Sequence, residues 1–402
     1  MMWWPLLWFT LNLKYILLVL IGALYFYWHW TRKDLYISSC KLEGPLSWPI
    51  IGNLPDVFKH RKCILNFANE LTTKYAHPQK FWMGPFLAVY VANPDDLQII
   101  LNHENALDKT FIYQFGNDYV GRCLLTVEGN IWRMRRKLIK PTFNVEVLEK
   151  YIKKFDKLSE ILVKELEKTS EKEINVFDFV ARCTLDMISS TAFDTELHAQ
   201  TTPIGDQMIQ ATHNIFNVLL KRAVRLWLYA DVIFRKTKLY QSFMKSVSIF
   251  HNYTDMVFNR KLKEWQLKLN EFPEPSIHNS PKCYVDGLLY NYLTYNNNSK
   301  TENLTQEQVK REMDVMFAAG SDTTAHAVSF ILLIIAMFPE HQKLVHKEIS
   351  ELLEKINAND EGCIEKLHLH ELKYLDRVIN ECLRLYPPTP LIARELSGKN
   401  NP

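Results

Sequence analysis

One apolar stretch, residues 306–337, constrains the fold of this chain more than any other segment. Thr305 can cap the start of a helix, Gln308 can reach back to complete a capping box, and Pro339 stops the far end. The predicted helix, Gln306 to Met337, would be about 48 Å long, enough to cross a whole domain. From Val315 onward it is almost wholly apolar, so it must be buried.

The middle of this helix carries a polar cluster, Ser321-Asp322-Thr323-Thr324, with His326 one turn further on. Buried polar groups cost free energy unless they are hydrogen-bonded or have a function. A membrane span over residues 315–338 is disfavoured, because a carboxylate near the bilayer centre costs about 3 kcal/mol. The charged residues 306–314, which begin the same helix, are moreover expected to be solvated.

Two interpretations of the cluster remain open, and they are compatible. In a core helix, the Ser and Thr hydroxyls would bond back to backbone carbonyls. Alternatively, Ala319 and Gly320 leave a notch where a flat ligand could approach the backbone, while Asp322 and Thr323 supply protons beside it.

The first 30 residues form the most strongly biased segment, with tryptophans near both ends. Trp4 and Trp28 would lie about 36 Å apart on a helix, against a hydrocarbon core of about 30 Å. The bulky Trp28-His29-Trp30 argues against a cleaved signal peptide, and Arg32 and Lys33 keep the following residues in the cytosol. We therefore expect a signal anchor (1–31), a basic and proline-rich hinge (32–55) and one domain (56–402).

The domain is predicted to be mainly α with small β-sheets. Residues 81–91 read as a β-hairpin with Gly84-Pro85 at its turn, and Pro94 opens a short helix to about Asn102. Residues 106–121 read as an aromatic loop, and helical periodicity recurs over most of the remainder. The net charge of +3 is too small to argue for nucleic acid, and seven scattered cysteines predict reduced thiols.

Two charged motifs have a spacing that fits a helix. Trp132 and Arg136 share one helix face, where an indole N–H beside a guanidinium suits a carboxylate; a solvated or docking patch is the alternative. The neighbouring basic residues could face an acidic electron donor. Glu381 and Arg384 are one turn apart in apolar surroundings, which predicts a buried pair.

These motifs, in this order, resemble the cytochrome P-450 superfamily of haem-thiolate monooxygenases. Residues 319–324 look like its oxygen-activation motif, Trp132 and Arg136 like its Trp-x-x-x-Arg, and Glu381 and Arg384 like its Glu-x-x-Arg. The resemblance implies that fold, with Trp132, Arg136 and Arg394 on the haem propionates and Ala319 and Gly320 against the haem. It also implies that Asp322 and Thr323 relay protons. The implied substrate pocket contains Phe111, Tyr113, Phe115, Phe317 and Leu391.

The resemblance further implies a monooxygenase of the endoplasmic reticulum membrane, with its catalytic domain in the cytosol. Electrons would come from NADPH through a reductase, with cytochrome b5 as a further partner, and the substrate would be lipophilic: a fatty acid, a hormone-like lipid or a xenobiotic. The flanking strings look most like the clan of fatty-acid ω-hydroxylases and insect microsomal members. That clan often has Glu at the position of Ala319, where it can esterify the haem, so no such link is expected here.

The resembled family places a haem-binding loop, with the proximal cysteine, well after Arg394, and none precedes Pro402. Cys363 and Cys382 lack the required context, so no metal ligand is assigned. We therefore expect a C-terminally truncated and inactive polypeptide of a monooxygenase family. The alternative function is that of a haem-free, membrane-anchored fragment that binds lipophilic ligands or partners.

Overall fold

The computed structural model describes residues 4–60, 63–169, 172–271, 281–294, 304–358 and 364–396. The chain forms two compact units, Met1–Glu104 and Asn105–Pro402.

The first unit combines helices with one β-hairpin. Strands β1 (Gln79–Met83) and β2 (Phe86–Tyr90) pair antiparallel, with Gln79 opposite Tyr90 and Met83 opposite Phe86. The predicted hairpin is confirmed, with Gly84 at positive φ in the turn. The helices are α1 (Trp4–Thr31), α2 (Lys33–Ser39), α3 (Leu54–Lys59), α4 (Ile64–Lys74) and α5 (Pro94–Asn102).

The proline-rich segment before α3 is attached to this hairpin. The buried Asn53 side chain accepts a hydrogen bond from the Trp82 amide (2.9 Å) and donates one to the Leu46 carbonyl (2.9 Å). Gly52, at φ 58°, lies so close to Trp82 that a side chain would collide with its carbonyl. The hinge prediction did not anticipate these contacts.

The second unit is helical in its described part. Its helices are α6 (Asn117–Val120), α7 (Gly129–Ile139), α8 (Val145–Glu167), α9 (Val176–Ala192), α10 (Ile204–Ala223), α11 (Asp231–Phe234), α12 (Lys238–Glu271), α13 (Tyr284–Thr294), α14 (Gln306–Met337), α15 (Pro339–Ala358), α16 (Lys366–Leu369) and α17 (Lys373–Leu385). The expectation of a mainly helical fold with a small sheet is confirmed.

Helix α14 has the predicted bounds and the predicted capping box between Thr305 and Gln308. By length and composition alone it is the one helix among the residues searched that could cross a membrane. Helix α9 packs along its middle, where Phe317 is fully buried. Each apolar side chain buried in this way contributes about 1.5–3 kcal/mol to stability. The expectation that the helix is buried from Val315 onward is wrong near its end, where Leu332, Leu333 and Met337 are exposed.

The expectation that residues 306–314 are solvated is wrong for Glu312 and Asp314, whose side chains are buried. Asp314 accepts hydrogen bonds from the Thr254 hydroxyl (2.6 Å) and the Arg311 guanidinium (3.1 Å). These partners satisfy the carboxylate inside the unit.

Candidate functional site

The hydroxyls of the α14 polar cluster bond back to the helix. Ser321 donates to the Phe317 carbonyl (2.9 Å), Thr323 to the Ala319 carbonyl (2.6 Å) and Thr324 to the Gly320 carbonyl (2.9 Å). Ser321 is buried, whereas Ala319 is exposed. Because Ala319 and Thr323 are four residues apart, they lie on one face of α14, and this face is open to a ligand.

The predicted notch is wrong for Gly320. A β-carbon at this position would lie 2.5 Å from Cδ1 of Ile188 on α9. Gly320 therefore permits close packing of α9 on α14, and Ala319 alone supplies the small exposed side chain.

Asp322 faces a different side of α14, towards α9 and α10. Its carboxylate is 3.6 Å from Nδ1 of His326 and borders a small, partly open recess, which is also lined by Thr184, Thr212 and His213. Burial raises the pKa of Asp322, while the nearby His326 and His213 oppose the rise. The carboxyl group can thus hold a proton at a higher pH than a solvated aspartate.

Helix α7 presents the predicted carboxylate receptor. The Arg136 guanidinium lies 5.1 Å from the centroid of the Trp132 ring, so both side chains occupy one helix face as expected. Arg136 is exposed and Trp132 is half-buried. Both can therefore donate hydrogen bonds to an anion.

Backbone hydrogen bonds connect the segment that carries Arg394 to the start of α7. The Glu395 amide donates to the Asp108 carbonyl (2.9 Å), and the Asp108 carboxylate accepts from the Gly129 amide at the start of α7 (2.8 Å). Asp108 thus ties the strand that carries Arg394 to the helix that carries Trp132 and Arg136.

A third cation, Lys109, lies beside Arg394 and was not predicted from the sequence. Burial, together with the charge of Arg394, lowers the pKa of Lys109 to about 8. Within the described ranges, Lys109, Arg136 and Arg394 form no ion pair with a carboxylate, and Arg394 donates to the Ala393 carbonyl. Three cations and one indole N–H without an acidic partner fit the two propionates of a haem. No sequence pattern marks Lys109.

Arg135 differs from the basic surface predicted for the residues around Trp132 and Arg136. Its guanidinium is buried and lies 2.9 Å from the Glu312 carboxylate of α14. Burial raises the pKa of Glu312, and the Leu124 amide and Arg135 oppose that rise. Arg133 and Lys137 are exposed as expected.

The prediction of a buried Glu381–Arg384 pair is wrong. The two side chains pair with both guanidinium donors engaged, at 2.7 and 2.8 Å, but both are more than half exposed. The hydrogen bonds from Arg384 lower the pKa of Glu381. Because both side chains are exposed, solvent screens this interaction.

Residues of the predicted substrate pocket differ in exposure. Phe317 is fully buried among Phe193, Phe250 and Tyr253, so its expected contact with substrate is wrong. Leu391 is exposed, as the prediction requires.

The stretch 106–121 is not the plain loop that was expected, since residues 111–116 form a 3-10 helix that runs into α6. Phe111 and Tyr113 are half-buried, and Tyr113 accepts a hydrogen bond from the Ala393 amide (3.2 Å). Phe115 is turned inward, with its ring 4.9 Å from Tyr229 and 4.4 Å from the buried guanidinium of Arg222.

The described cysteines occupy other places. Cys123, Cys183, Cys283 and Cys382 are buried free thiols, and Cys40 and Cys63 belong to the first unit. Burial raises the pKa of Cys123 to about 11, which keeps it protonated at neutral pH. Among the described residues, Trp132, Arg136 and Arg394 could hold the propionates of a haem, and no described cysteine is assigned as an axial ligand.

A mainly helical unit with an anion receptor beside α7 and an acid and an alcohol on α14 fits the class of haem-binding oxidoreductases. The model of the cytochrome P-450 family matches residues 42–400, and the chain therefore belongs to this family.

The similar proteins are numbered in family 4 of the P-450s. The chain is 29% identical to cytochrome P-450 4d2 of Drosophila melanogaster, over 96% of this chain and 78% of the relative. It is 32% identical to cytochrome P-450 4V2 of Homo sapiens, over 82% of this chain and 62% of the relative. Cytochrome P-450 4c21 of Blattella germanica is 26% identical, over 96% and 75%. The chain thus matches between 62% and 78% of the length of these relatives.

Proposed function

We propose that the protein is a haem-dependent monooxygenase, which inserts one atom of dioxygen into a lipophilic substrate with electrons that a reductase takes from NADPH. The observation that carries this proposal is the set of cations Lys109, Arg136 and Arg394, for which no described residue supplies a carboxylate partner. With the Trp132 N–H, these cations lie on elements that Asp108 holds together. Family membership supports the same conclusion.

In this proposal, Trp132, Arg136 and Arg394 hold the propionates, and Lys109 adds a third positive charge. Bound haem supplies the iron that activates dioxygen. Ala319 leaves room on the open face of α14, and Thr323 presents its hydroxyl on that face after rotating away from the Ala319 carbonyl. Asp322, whose pKa is raised by burial, takes up protons from the recess. Because its carboxylate faces the α9 and α10 side, it passes them to this alcohol only after its side chain changes rotamer.

A lipophilic substrate suits the apolar residues near Arg394. Leu391 and Ile392 are both about half exposed, and Phe111 is half-buried. Contact between such surfaces and the apolar atoms of a ligand lowers the free energy of the complex. Fatty acids, hormone-like lipids and xenobiotics are the proposed classes.

We place the protein in the endoplasmic reticulum membrane, with α1 as the anchor and the second unit in the cytosol. Helix α1 is 28 residues long, and Arg32 and Lys33 follow it immediately. The exposed Arg133 and Lys137 of α7 offer positive charge to an acidic reductase or to cytochrome b5.

A second candidate function is that of a haem-free, membrane-anchored protein that binds lipophiles. It is favoured by the positions of the described cysteines, because none of them is among the site residues.

A carbon monoxide difference spectrum separates the two candidates. The chain is purified, supplied with ferric haem, reduced and exposed to carbon monoxide, with Arg136→Met as the matched variant. A red-shifted Soret band that weakens in the variant supports the monooxygenase. If no haem-dependent band forms, the haem-free function is favoured.

A further inference from the structure

Helix α7 has a charged side chain inside its inward-facing stripe. Of its 11 residues, Gly129, Arg135 and Ile139 are buried. Ile131 and Leu138 are half-buried, and Leu138 packs against the core. Apolar packing orients a helix through such a stripe, and Arg135 lies within it. The orientation of α7 therefore depends on the partner of Arg135 as well as on its apolar contacts.

The buried Arg135 side chain donates hydrogen bonds to two acceptors. Its Nη1 donates to Oε1 of Glu312 (2.9 Å) and also to the Arg122 carbonyl. The second carboxylate oxygen of Glu312 accepts a hydrogen bond from the Leu124 amide (3.1 Å). The side chains are 6% and 0% exposed, so solvent cannot replace either partner. A buried pair with these partners tolerates little change in geometry.

Helical geometry links this pair to the receptor face of α7. Successive residues of an α-helix are about 100° apart, so Trp132 and Arg136 lie within about 40° of one another. Arg135 lies about 60° from Trp132 and about 100° from Arg136. When Arg135 is held against α14, the direction of the Trp132/Arg136 face is fixed.

The same geometry links the pair to the open face of α14. Ala319 and Thr323 follow Glu312 by seven and eleven residues, which places each within about 20° of it around the helix. Glu312 therefore lies on the same side of α14 as Ala319 and Thr323, about 10 Å closer to the N-terminus of the helix than Ala319.

We infer that Arg135 and Glu312 form a positioning pair, which aligns the anion-binding face of α7 with the Ala319/Thr323 face of α14. Neither residue touches the cofactor; they act through Trp132 and Arg136. This inference rests on the proposed haem function. It extends that function by assigning two residues outside the family motifs to cofactor placement.

The test compares three variants of the full chain. Glu312→Gln keeps the shape but removes the charge. Arg135→Met combined with Glu312→Leu replaces the pair by apolar side chains, which often restores stability. Glu307→Gln is the matched control, because Glu307 pairs with Arg311 on the same helix but is 65% exposed. The measurements are thermal unfolding, titration with ferric haem followed at the Soret band, and hydrogen exchange of the α7 amides.

If the pair positions α7, the double variant unfolds close to the wild-type temperature but binds ferric haem about tenfold more weakly, and its α7 amides exchange about tenfold faster. Glu307→Gln changes none of these. If the double variant regains stability and binds haem like the wild type, the pair is merely structural and the inference is overturned.

Failure of the proposed function has a different signature. In that case the wild type binds no haem, or Arg136→Met leaves its affinity unchanged. The positioning role is then decided by hydrogen exchange alone. Faster exchange of α7 in the double variant than in Glu307→Gln supports it, and equal exchange overturns it.

Discussion

Lys109 is the residue of the candidate site whose charge changes near physiological pH. Burial and the neighbouring Arg394 lower its pKa from 10.5 to about 8. Because a bound anion favours the protonated amine, it raises this pKa again. The contribution of Lys109 to anion binding is therefore present below pH 8 and declines above it.

We predict that the affinity for ferric haem is constant up to about pH 7 and falls about threefold to tenfold between about pH 7.5 and 9.5. Lys109→Arg should abolish this decline, because a guanidinium keeps its proton throughout. Soret titrations at several pH values measure both proteins. An equally steep decline in the variant would assign the titration to another group.

Single residues were predicted well where their role is local. Trp132 and Arg136 share a face because the helical period is short-range, and the hydroxyl of Thr323 finds the carbonyl four residues back for the same reason. The pairing of Arg135 with Glu312 spans 177 residues of sequence, and no local pattern indicates it. Phe317 was misplaced because an apolar side chain in a motif can face the core as well as a ligand.

Among the helices, α17 depends on a partner outside itself. The Glu348 carboxylate of α15 accepts hydrogen bonds from the amides of Tyr374 (2.8 Å) and Leu375 (2.9 Å), in the first turn of α17. These amides have no partner within their own helix, and the carboxylate also lies at the positive end of the helix dipole.

We predict that Glu348→Ala lowers the free energy of unfolding by about 1–2 kcal/mol, as loss of a helix cap does. Glu351→Ala, one turn along the same helix at an exposed pair with Lys347, should change it by less than about 0.5 kcal/mol. Urea unfolding followed by circular dichroism measures both. Equal losses would show that Glu348 does not stabilise α17 as a cap.

Elements with strong end signals were predicted closely from sequence. The bounds of α14 were predicted from Thr305, Gln308 and Pro339, and the turn of the hairpin was predicted from Gly84-Pro85. Helical periodicity over most of the remainder did not predict the break between α10 and α12, where the chain forms short turns around α11. There the buried Arg222 pairs with Asp231 and lies between the rings of Phe115 and Phe234. Such tertiary contacts override helical periodicity.

For the molecule as a whole, the anchor proposal makes a prediction about topology. Three apparent glycosylation sequons begin at Asn252, Asn297 and Asn303. If the second unit faces the cytosol, all three stay unmodified in cells, whereas an acceptor site in an extension ahead of Met1 is glycosylated. Endoglycosidase treatment followed by gel mobility distinguishes these sites. Sugar on Asn297 or Asn303 would reverse the proposed orientation.

The close contact between Gly320 and Ile188 has a consequence for heritable variation. An alanine at position 320 would force Ile188 into another rotamer, because the new β-carbon would collide with Cδ1 of Ile188. The larger or charged residues that one nucleotide change can introduce there would push α9 off α14. Carriers of such alleles would then lose the protein through degradation by quality control, even though every group proposed for the chemistry is intact.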